Sequence, residues 1–375
     1  MKKWLARLAL LAIALVAVVV VTLKIRYGGD TVPFPDTSTK ALLPASAVEL
    51  VATLDEPPGN IAVSRDGRVF FSLHPEARPD RKVVEWVNGK ALPFPDGKFD
   101  LFHEVLSVRI DSQNRLWTID HGLHGLRQPR LLAFDIATRR LVHRWDIPRD
   151  VAGFGSFVQD FQVAPDGATV YLADAGIVSK RPAILVYDVA SKRARRVLEC
   201  DASVTGKPYT LDIQGHEMSL LGGLYKMHVG IDPIALDAKG EWLYFGPMSH
   251  ETMFRARTAD LRAGTPRVEP FGPKPQCDGI AVDGNGNVYI TDIEHGAIAR
   301  LGADRKLVTL VRDDRFRWLD GFSFGPDGSL YATDSALTEV ILQSKSHIRA
   351  KGPYSVWRVR VPARSPAPSL ATPRR

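Results

Sequence analysis

The sequence contains few cysteines. Only Cys200 and Cys277 occur among 375 residues, and no CxxC or Cys/His pattern surrounds either of them. This argues against a zinc site, which needs several such ligands at short spacing. The two thiols could pair in an oxidising compartment or stay separate as small side chains, and the sequence leaves both alternatives open.

The sequence also lacks the glycine patterns of nucleotide and acyl chemistry. No GxSxG, P-loop or Rossmann glycine pattern stands in a fitting context. Covalent serine hydrolysis and nucleotide-driven chemistry are therefore disfavoured.

The body of the chain has no excess of basic charge, although the formal net charge is +7. Eight of the 49 Lys and Arg residues lie in segments 1–26 and 364–375, which contain no acidic residue. The 41 that remain face 42 Asp and Glu, a net charge of −1 for residues 27–363. A neutral body lacks the electrostatic footprint of a nucleic-acid binder, so we expect no nucleic-acid partner.

Residues 8–23 form a long apolar run without charge, preceded by three basic residues. With its flanks the run reaches roughly twenty residues, enough to cross a bilayer core. Lys24, Ile25 and Arg26 follow it, where a cleaved signal peptide would show small residues. We interpret residues 1–26 as a signal anchor, a transmembrane helix with its basic end inside; cleavage is the alternative. The body is then anchored in the inner membrane facing the periplasm, or it is periplasmic or secreted if the helix is cleaved.

One sequence motif recurs six times: a strand of alternating apolar residues, a tight turn, and a second strand that often ends in Asp. Examples are IAVSRDGRVFFSL from Ile61 and IAVDGNGNVYITD from Ile280. Asp-Gly and Asn-Gly supply the positive φ that a hairpin turn needs. The six turn positions are Gly67, Asn114, Gly167, Gly240, Gly286 and Gly328.

These repeats predict an all-β fold, a six-bladed β-propeller with an N-terminal transmembrane helix. Most phrases are followed by another alternating pair of strands, and two hairpins make one four-stranded blade. Blades stack radially because a single blade cannot bury both of its faces. We expect Val48–Leu54 to complete the last blade, which removes a free edge. The predicted divisions are the helix at 1–26, a linker at 27–46, the propeller at 47–363 and a disordered tail at 364–375.

The third and fourth turns are separated by an insertion, Glu199 to Gly230. Long insertions in compact domains are commonly lids or binding loops. We therefore expect it at one channel mouth.

Polar residues recur near the start of the inner strands. Asp232, Asp278 and Asp320 each lie eight residues before their turn glycine. Because inner strands meet at the channel, we expect these side chains to converge at its mouth. Carboxylates that face one another repel unless a cation or protons intervene, and oxygen ligands suit Ca²⁺ or Mg²⁺; the alternative is that each Asp caps a local turn. The predicted channel-mouth residues are Asn60, Glu104, Gln159, Asp160, Asp232, Asp278 and Asp320.

A second aspartate series closes several repeats, and we interpret it as structural. Its members are Asp120, Asp174, Asp292 and Asp334. The loop histidines His103, His121 and His124 have no metal-binding spacing, although histidine can act as a base or ligand.

Several phrases resemble the yellow / major royal jelly protein family. They include VRIDSQNRLWTIDHG from Val108 and LYFGPMSHETMFRARTADLR from Leu243, and the similarity runs in order through most of residues 55–340. The resemblance implies a six-bladed propeller and export. In some members it implies binding of small aromatic amines in the central channel or dopachrome conversion. It carries no settled catalytic motif.

A weaker resemblance, in CDGIAVDGNGNVYITD from Cys277, is to the gluconolactonase / regucalcin superfamily. It implies a divalent metal at the channel mouth, held here by Asp278, by Asp232 where lactonases use Asn, and by Asn60. The first-blade Glu of that family has no clean match, since Glu56 and Asn60 both lie near its place.

Two functions remain open from the sequence. The first is an exported, membrane-tethered propeller, a monomer, that binds a small ligand, such as an aromatic or amine compound, in its channel. The alternative is a metal-dependent lactonase-like hydrolase or a dopachrome-type tautomerase.

Overall fold

The computed structural model describes residues 2–97 and 101–361. The chain forms six four-stranded antiparallel sheets, which confirms the predicted all-β six-bladed propeller. The proposed tail at 364–375 lies outside the described residues.

The first three blades follow one another along the chain, each with its innermost strand first. Blade 1 comprises β2 (Pro58–Val63), β3 (Val69–Leu73), β4 (Val83–Val87) and β5 (Lys90–Pro93). Blade 2 comprises β6 (Val105–Ile110), β7 (Arg115–Asp120), β8 (Arg130–Asp135) and β9 (Leu141–Asp146). Blade 3 comprises β10 (Val158–Val163), β11 (Thr169–Asp174), β12 (Ala183–Asp188) and β13 (Arg193–Val197).

The last three blades follow the insertion, which carries four two-residue strands. The insertion strands are β14 (Asp212–Ile213), β15 (His216–Glu217), β16 (Ser219–Leu220) and β17 (Tyr225–Lys226). Blade 4 comprises β18 (Ile231–Leu236), β19 (Trp242–Pro247), β20 (Thr252–Arg257) and β21 (Val268–Pro273). Blade 5 comprises β22 (Ile280–Val282), β23 (Val288–Asp292), β24 (Ala297–Leu301) and β25 (Leu307–Arg312). Blade 6 comprises β26 (Leu319–Phe324), β27 (Leu330–Asp334), β28 (Tyr354–Val359) and β1 (Val48–Leu54).

Blade 6 closes the ring as the sequence predicts. Strand β1 pairs antiparallel with β28, so Val48 lies opposite Val359 and Leu54 opposite Tyr354. The chain's first strand thus becomes the outer strand of its last blade, and the ends of the propeller are held together by strand pairing.

The six predicted hairpin turns are present, each with positive φ at the predicted position. The value is 84° at Gly67 and 58° at Asn114, the one turn without glycine. Asparagine tolerates this left-handed conformation better than most side chains, because it can hydrogen-bond locally.

Apolar clusters fill the interfaces between neighbouring blades. Phe70 of blade 1 packs edge-on against Phe94, with ring centroids 5.2 Å apart, in a cluster that also contains Phe134 of blade 2. Trp117 of blade 2 and Phe161 of blade 3 share the next cluster. Each blade therefore depends on its neighbours to bury its faces.

Four α-helices lie outside the blades in the described part of the chain. They are α1 (Lys2–Tyr27), α2 (Gly122–Gly125), α3 (Thr258–Ala263) and α4 (Lys345–Ala350). An 18-residue stretch within Lys3–Tyr27 of α1 has mean hydropathy 2.9 and is not buried, and the segment is long enough to cross a membrane. A signal sequence would have the same features. Residues 28–44 then run along the propeller, where Val32 bridges to Tyr209 and Leu43 to Val311.

Candidate functional site

A small cavity lies where the inner strands begin, at one mouth of the central channel. Its volume is ≈ 80 Å³, room for a few water molecules or a small organic group. One part of its lining is apolar, contributed mostly by the connections at the mouth: Leu106, Phe157, Ile177, Met227, Val229, Met248, Leu337 and Ile341. The other part is polar: His74, Glu76, His124, Gln159, Asp232, Asp278 and Asp320.

The three predicted aspartates meet in this cavity, each beside an uncharged partner. Gln159 Nε2 donates a hydrogen bond to Asp232 Oδ1. Trp318 Nε1 donates to Asp278 Oδ2 at 2.5 Å. The third carboxylate, Asp320, lies with Oδ2 3.7 Å from His74 Nε2. The eight-residue spacing therefore brings side chains from blades 4, 5 and 6 to one place.

Burial raises the pKa of all three carboxyl groups, because an ion loses hydration in the channel. Burial raises the pKa of Asp278 to about 7, and the neighbouring charge of Asp160 adds to this rise. The pKa values of Asp232 and Asp320 are raised well above the ordinary value, first by burial and next by the charge of Asp278. At neutral pH the cluster therefore retains protons unless a cation offsets its charge.

His74 is uncharged at neutral pH, so it does not supply that cation. Its burial lowers the pKa to about 4. Its Nδ1 accepts a hydrogen bond from the Glu76 backbone N–H at 3.3 Å, which assigns the ring proton to Nε2, on the side of Asp320.

Asn60 and Asp160 lie on inner strands but are joined to a different group, Arg109 of β6. Arg109 Nη1 donates to Asn60 Oδ1, and Nη2 donates to Asp160 Oδ1 at 2.7 Å. Asp160 also accepts a hydrogen bond from Ser107 Oγ at 2.8 Å. This buried bridge ties the inner strands of blades 1, 2 and 3 together, and neither Asn60 nor Asp160 lines the cavity.

The proposed metal set of Asn60, Asp232 and Asp278 finds no geometric support. The Asn60 oxygen faces a guanidinium, which would repel a metal ion. In residues 2–97 and 101–361, no three His, Cys, Asp or Glu side chains form a group that could hold a metal. The described residues therefore do not fit a divalent-cation site.

Two histidine–carboxylate pairs lie at the mouth. His124 Nε2 is 3.6 Å from Glu76 Oε1, and its ring stacks on Phe157 with centroids 4.7 Å apart. The predicted residue Glu104 is 3.6 Å from His121 Nε2 but does not line the cavity. The pKa of Glu76 is lowered, chiefly by its polar contact with His124, so the Glu76 carboxylate places a further negative charge at the mouth.

The insertion covers the mouth, where the sequence predicts it. Met227 and Val229 line the cavity. Leu211 and Met218 are buried in an apolar cluster that also contains Trp318 of the β25–β26 connection. The predicted contact between this lid and a ligand stays a prediction.

The carboxylates of the second aspartate series accept hydrogen bonds from backbone N–H groups, which agrees with the structural role interpreted from the sequence. Asp120 accepts hydrogen bonds from the backbone N–H groups of Glu104 and Gly122, both at 3.0 Å. Asp334 accepts from the backbone N–H of Trp318 at 2.8 Å. These carboxylates fix the connections that shape the mouth.

The comparisons with known proteins agree with this architecture. The family model described as Major royal jelly protein matches residues 104–314, more than half of the chain. The chain belongs to the major royal jelly protein family. It is 28% identical over 186 residues to Major royal jelly protein 6 of Apis mellifera, covering 44% of this chain and 40% of that protein. It is 28% identical over 230 residues to Major royal jelly protein 2 of the same bee, covering 55% and 48%. The chain thus matches less than half the length of each of these relatives.

Solved structures resemble this royal-jelly-family propeller in fold. Regucalcin of Agrobacterium tumefaciens, a calcium-binding protein, gives a TM-score of 0.56 at 15% identity and covers 86% of this chain and 95% of its own. A gluconolactonase of Xanthomonas campestris gives 0.55 at 15% identity and covers 90% and 99%.

Sequence reasoning missed several residues of this royal-jelly-family site. Arg109, His74 and Trp318 were not predicted, although each contacts a predicted polar residue. A signal existed for one: His74 follows β3 as His121 follows β7, the corresponding strand of blade 2. The two cysteines, whose pairing the sequence left open, are separate free thiols: Cys200 is exposed and Cys277 is buried.

Proposed function

We propose that the chain is an exported, membrane-tethered propeller that binds a small amine-bearing ligand in its central cavity. The observation that carries the proposal is that no Lys or Arg in the described residues forms a salt bridge with the cavity aspartates. Among the described residues, Asp232 and Asp278 make no salt bridge, and Asp320 is paired only with the uncharged His74. The cations Arg109 and Lys274 act electrostatically on Asp320 and Asp232 respectively, but neither forms a salt bridge with them. The neighbouring Asp160, by contrast, is paired with Arg109.

A ligand cation would supply the missing charge. An ammonium group donates hydrogen bonds to several carboxylates at once and favours their ionised form. The apolar side chains of the mouth, among them Phe157 and Met227, would cover the rest of such a molecule. A pocket of mostly apolar lining with a few convergent polar groups is typical of small-molecule sites. An aryl-ethylamine fits this chemistry, and it agrees with the ligand class that the family resemblance implies.

The experiment is calorimetric titration of the purified full chain in detergent with phenethylamine. We expect binding of phenethylamine and at least tenfold weaker binding of the uncharged phenethyl alcohol, since an ion pair to a buried carboxylate is the main discriminating contact. Asp232→Asn should weaken amine binding, whereas Asp150→Asn, an equal charge change at an exposed site, should not. Equal affinity for the amine and the alcohol would overturn the proposal.

The tether is supported by the apolar segment Lys3–Tyr27. In a bacterial host, we expect the full chain to stay with membranes after an alkaline wash. We also expect protease added to spheroplasts to digest the propeller. A chain that is released by the wash, or that is protected in intact spheroplasts, would contradict tethering or export respectively.

A second candidate function is acid–base isomerisation of the ligand. It is favoured by the Glu76–His124 pair, which lines the cavity, and by His124 Nδ1, which is buried without a hydrogen-bond partner among the described residues. His124→Gln should then abolish tautomerisation of dopachrome while phenethylamine still binds. Unchanged turnover in that variant, or none by the parent, would leave binding alone.

A further inference from the structure

Helix α1 ends directly on the mouth face of the propeller, the face that carries the cavity. Tyr27 Oη donates to the Val178 carbonyl at 2.8 Å, and the Tyr27 ring stacks on Tyr225 of the insertion, with centroids 5.6 Å apart. Lys24 Nζ donates to the Gly223 carbonyl at 3.1 Å. Val178 lies in the β11–β12 connection, and Gly223 and Tyr225 lie in the insertion. The apolar helix therefore leaves the propeller at the mouth, without a free spacer.

The same face presents large apolar side chains to solvent. Outside α1, the four most exposed of these are 57–65% exposed. All four lie in mouth-face connections or the insertion: Leu126, Phe154, Leu221 and Leu342. The turns of the opposite face contain no exposed large apolar side chain in the described part of the chain. Isolated exposed apolar residues are ordinary, but their concentration on one face marks an interaction surface.

Three exposed leucines of this face have strained backbone. The φ angle is 53° at Leu123, 52° at Leu221 and 57° at Leu342. A left-handed conformation is unfavourable for a bulky residue, and Asn or Gly would relieve it. In water these side chains bury little apolar area in return. Burial of these leucine side chains in an apolar environment outside the protein would offset the strain. Backbone outliers of this kind point to function.

The mixed charges of the mouth face give it no electrostatic preference for an anionic membrane. The face carries both exposed bases, such as Arg127 and Arg349, and exposed acids, such as Asp80 and Asp212. Apolar insertion is therefore the stronger attraction, and the surface that begins where an apolar spanning helix ends is the bilayer interface. Tyr27 and Tyr225 suit that level, since aromatic residues concentrate at the headgroups.

We propose that the mouth face docks on the bilayer that α1 enters. Leu126, Phe154, Leu221 and Leu342 then insert among the headgroups. The cavity, which the insertion covers, faces the lipid and receives amphiphilic ligands from it. The docking rests on the proposed tether, but it does not depend on amine binding, which is measured separately in detergent.

The test uses the full chain in phosphatidylcholine vesicles, with the environment-sensitive dye NBD on single cysteines. Cys200→Ser removes the exposed native thiol, and Cys277 is buried. The mouth sites are F154C and L342C. The control site is V142C, 51% exposed on the outer strand β9. Leu342 lies in the β27–β28 connection, whereas α1 contacts the β11–β12 connection and the insertion. Quenching at Leu342 therefore reports the whole face rather than the helix end alone.

We expect spin-labelled lipid to quench NBD at F154C and L342C several-fold more than at V142C. Adding Leu126→Glu should reduce quenching at L342C while the thermal unfolding transition is retained. Equal quenching at all three sites would overturn the proposal. So would blue-shifted dye at the mouth sites without quenching by lipid, because that would show a protein covering the face.

Discussion

Arg109 Nη2 donates a hydrogen bond to Asp160 Oδ1 at 2.7 Å, and Arg109 Nη1 donates to Asn60 Oδ1. One guanidinium from blade 2 thus satisfies polar groups from blades 1 and 3. Asp160 is buried, and burial raises its pKa in opposition to the Arg109 charge. The pair ties the inner strands of blades 1, 2 and 3 together.

Arg109→Met tests this bridge. The substitution leaves a buried carboxylate and a buried amide without their cation, so we expect the free energy of unfolding to fall by about 3–5 kcal/mol. Denaturant unfolding, followed by circular dichroism at pH 8, measures the change. Arg109→Lys should recover only part of it, because lysine cannot form both bonds in the same plane. A loss below about 1 kcal/mol, the range of exposed ion pairs, would contradict a structural role for the bridge.

The fold was predictable from the sequence because short local segments determine its hairpin turns and strands. A turn residue with positive φ between two alternating strands, as at Gly67 or Asn114, forms a hairpin from local sequence alone. The unpaired Val48–Leu54 strand then has one blade left to complete. The convergence of Asp232 and Asp278 was predictable for the same reason, since repeats place equivalent residues at equivalent points.

The partners of those residues were not predictable from the sequence. Gln159 and Asp232 are separated by 73 residues, and Asp278 and Trp318 by 40. Their contacts depend on how neighbouring blades rotate and on which rotamers fit, which no repeat spacing encodes. The same holds for Arg109, whose long side chain reaches two other blades and donates a hydrogen bond to Asn60, a predicted metal ligand.

The two thiols should differ in reactivity. Cys200 is exposed, whereas Cys277 is buried and its burial raises the pKa of the thiol to about 11. Since the thiolate is the reactive form, we expect Ellman's reagent to modify one thiol in the folded chain and two in denaturant. The Cys200→Ser variant is the control and should show none before unfolding. No reactive thiol after unfolding without reductant would instead show a disulfide.

The pKa of Asp278 predicts how stability depends on pH. Its folded pKa of about 7 lies above the unfolded value of 3.8, so the folded state binds the proton more tightly. This contribution is fully present below the unfolded pKa and is lost as pH rises through about 7, by about 1.4 kcal/mol per pH unit for one group. Asp278→Asn removes the loss, so its stability relative to the parent should rise between pH 5 and 8.

The measurement is denaturant unfolding of the parent, Asp278→Asn and Asp150→Asn at both pH values. Asp150 is exposed, so its variant should follow the parent. The asparagine carbonyl at position 278 can still accept the Trp318 hydrogen bond, which keeps that contact out of the comparison. If Asp278→Asn followed the parent across this range, the carboxyl would not titrate within it.

Amine binding should strengthen as pH rises from 6 to 8. The cavity carboxyls retain protons because burial raises the pKa of Asp278 and its neighbours, and a bound ammonium favours their ionised forms. Each binding event must therefore release protons, and affinity should increase by up to about tenfold per pH unit for each proton released. Phenethylamine itself stays charged in this range, since alkylamines titrate near pH 10 as lysine does.

Calorimetry in buffers of different ionisation enthalpy counts the released protons directly. Asp278→Asn should flatten the dependence, and Asp150→Asn should leave it unchanged. Affinity that is constant with pH, with no proton released, would mean that the ammonium group does not meet these aspartates.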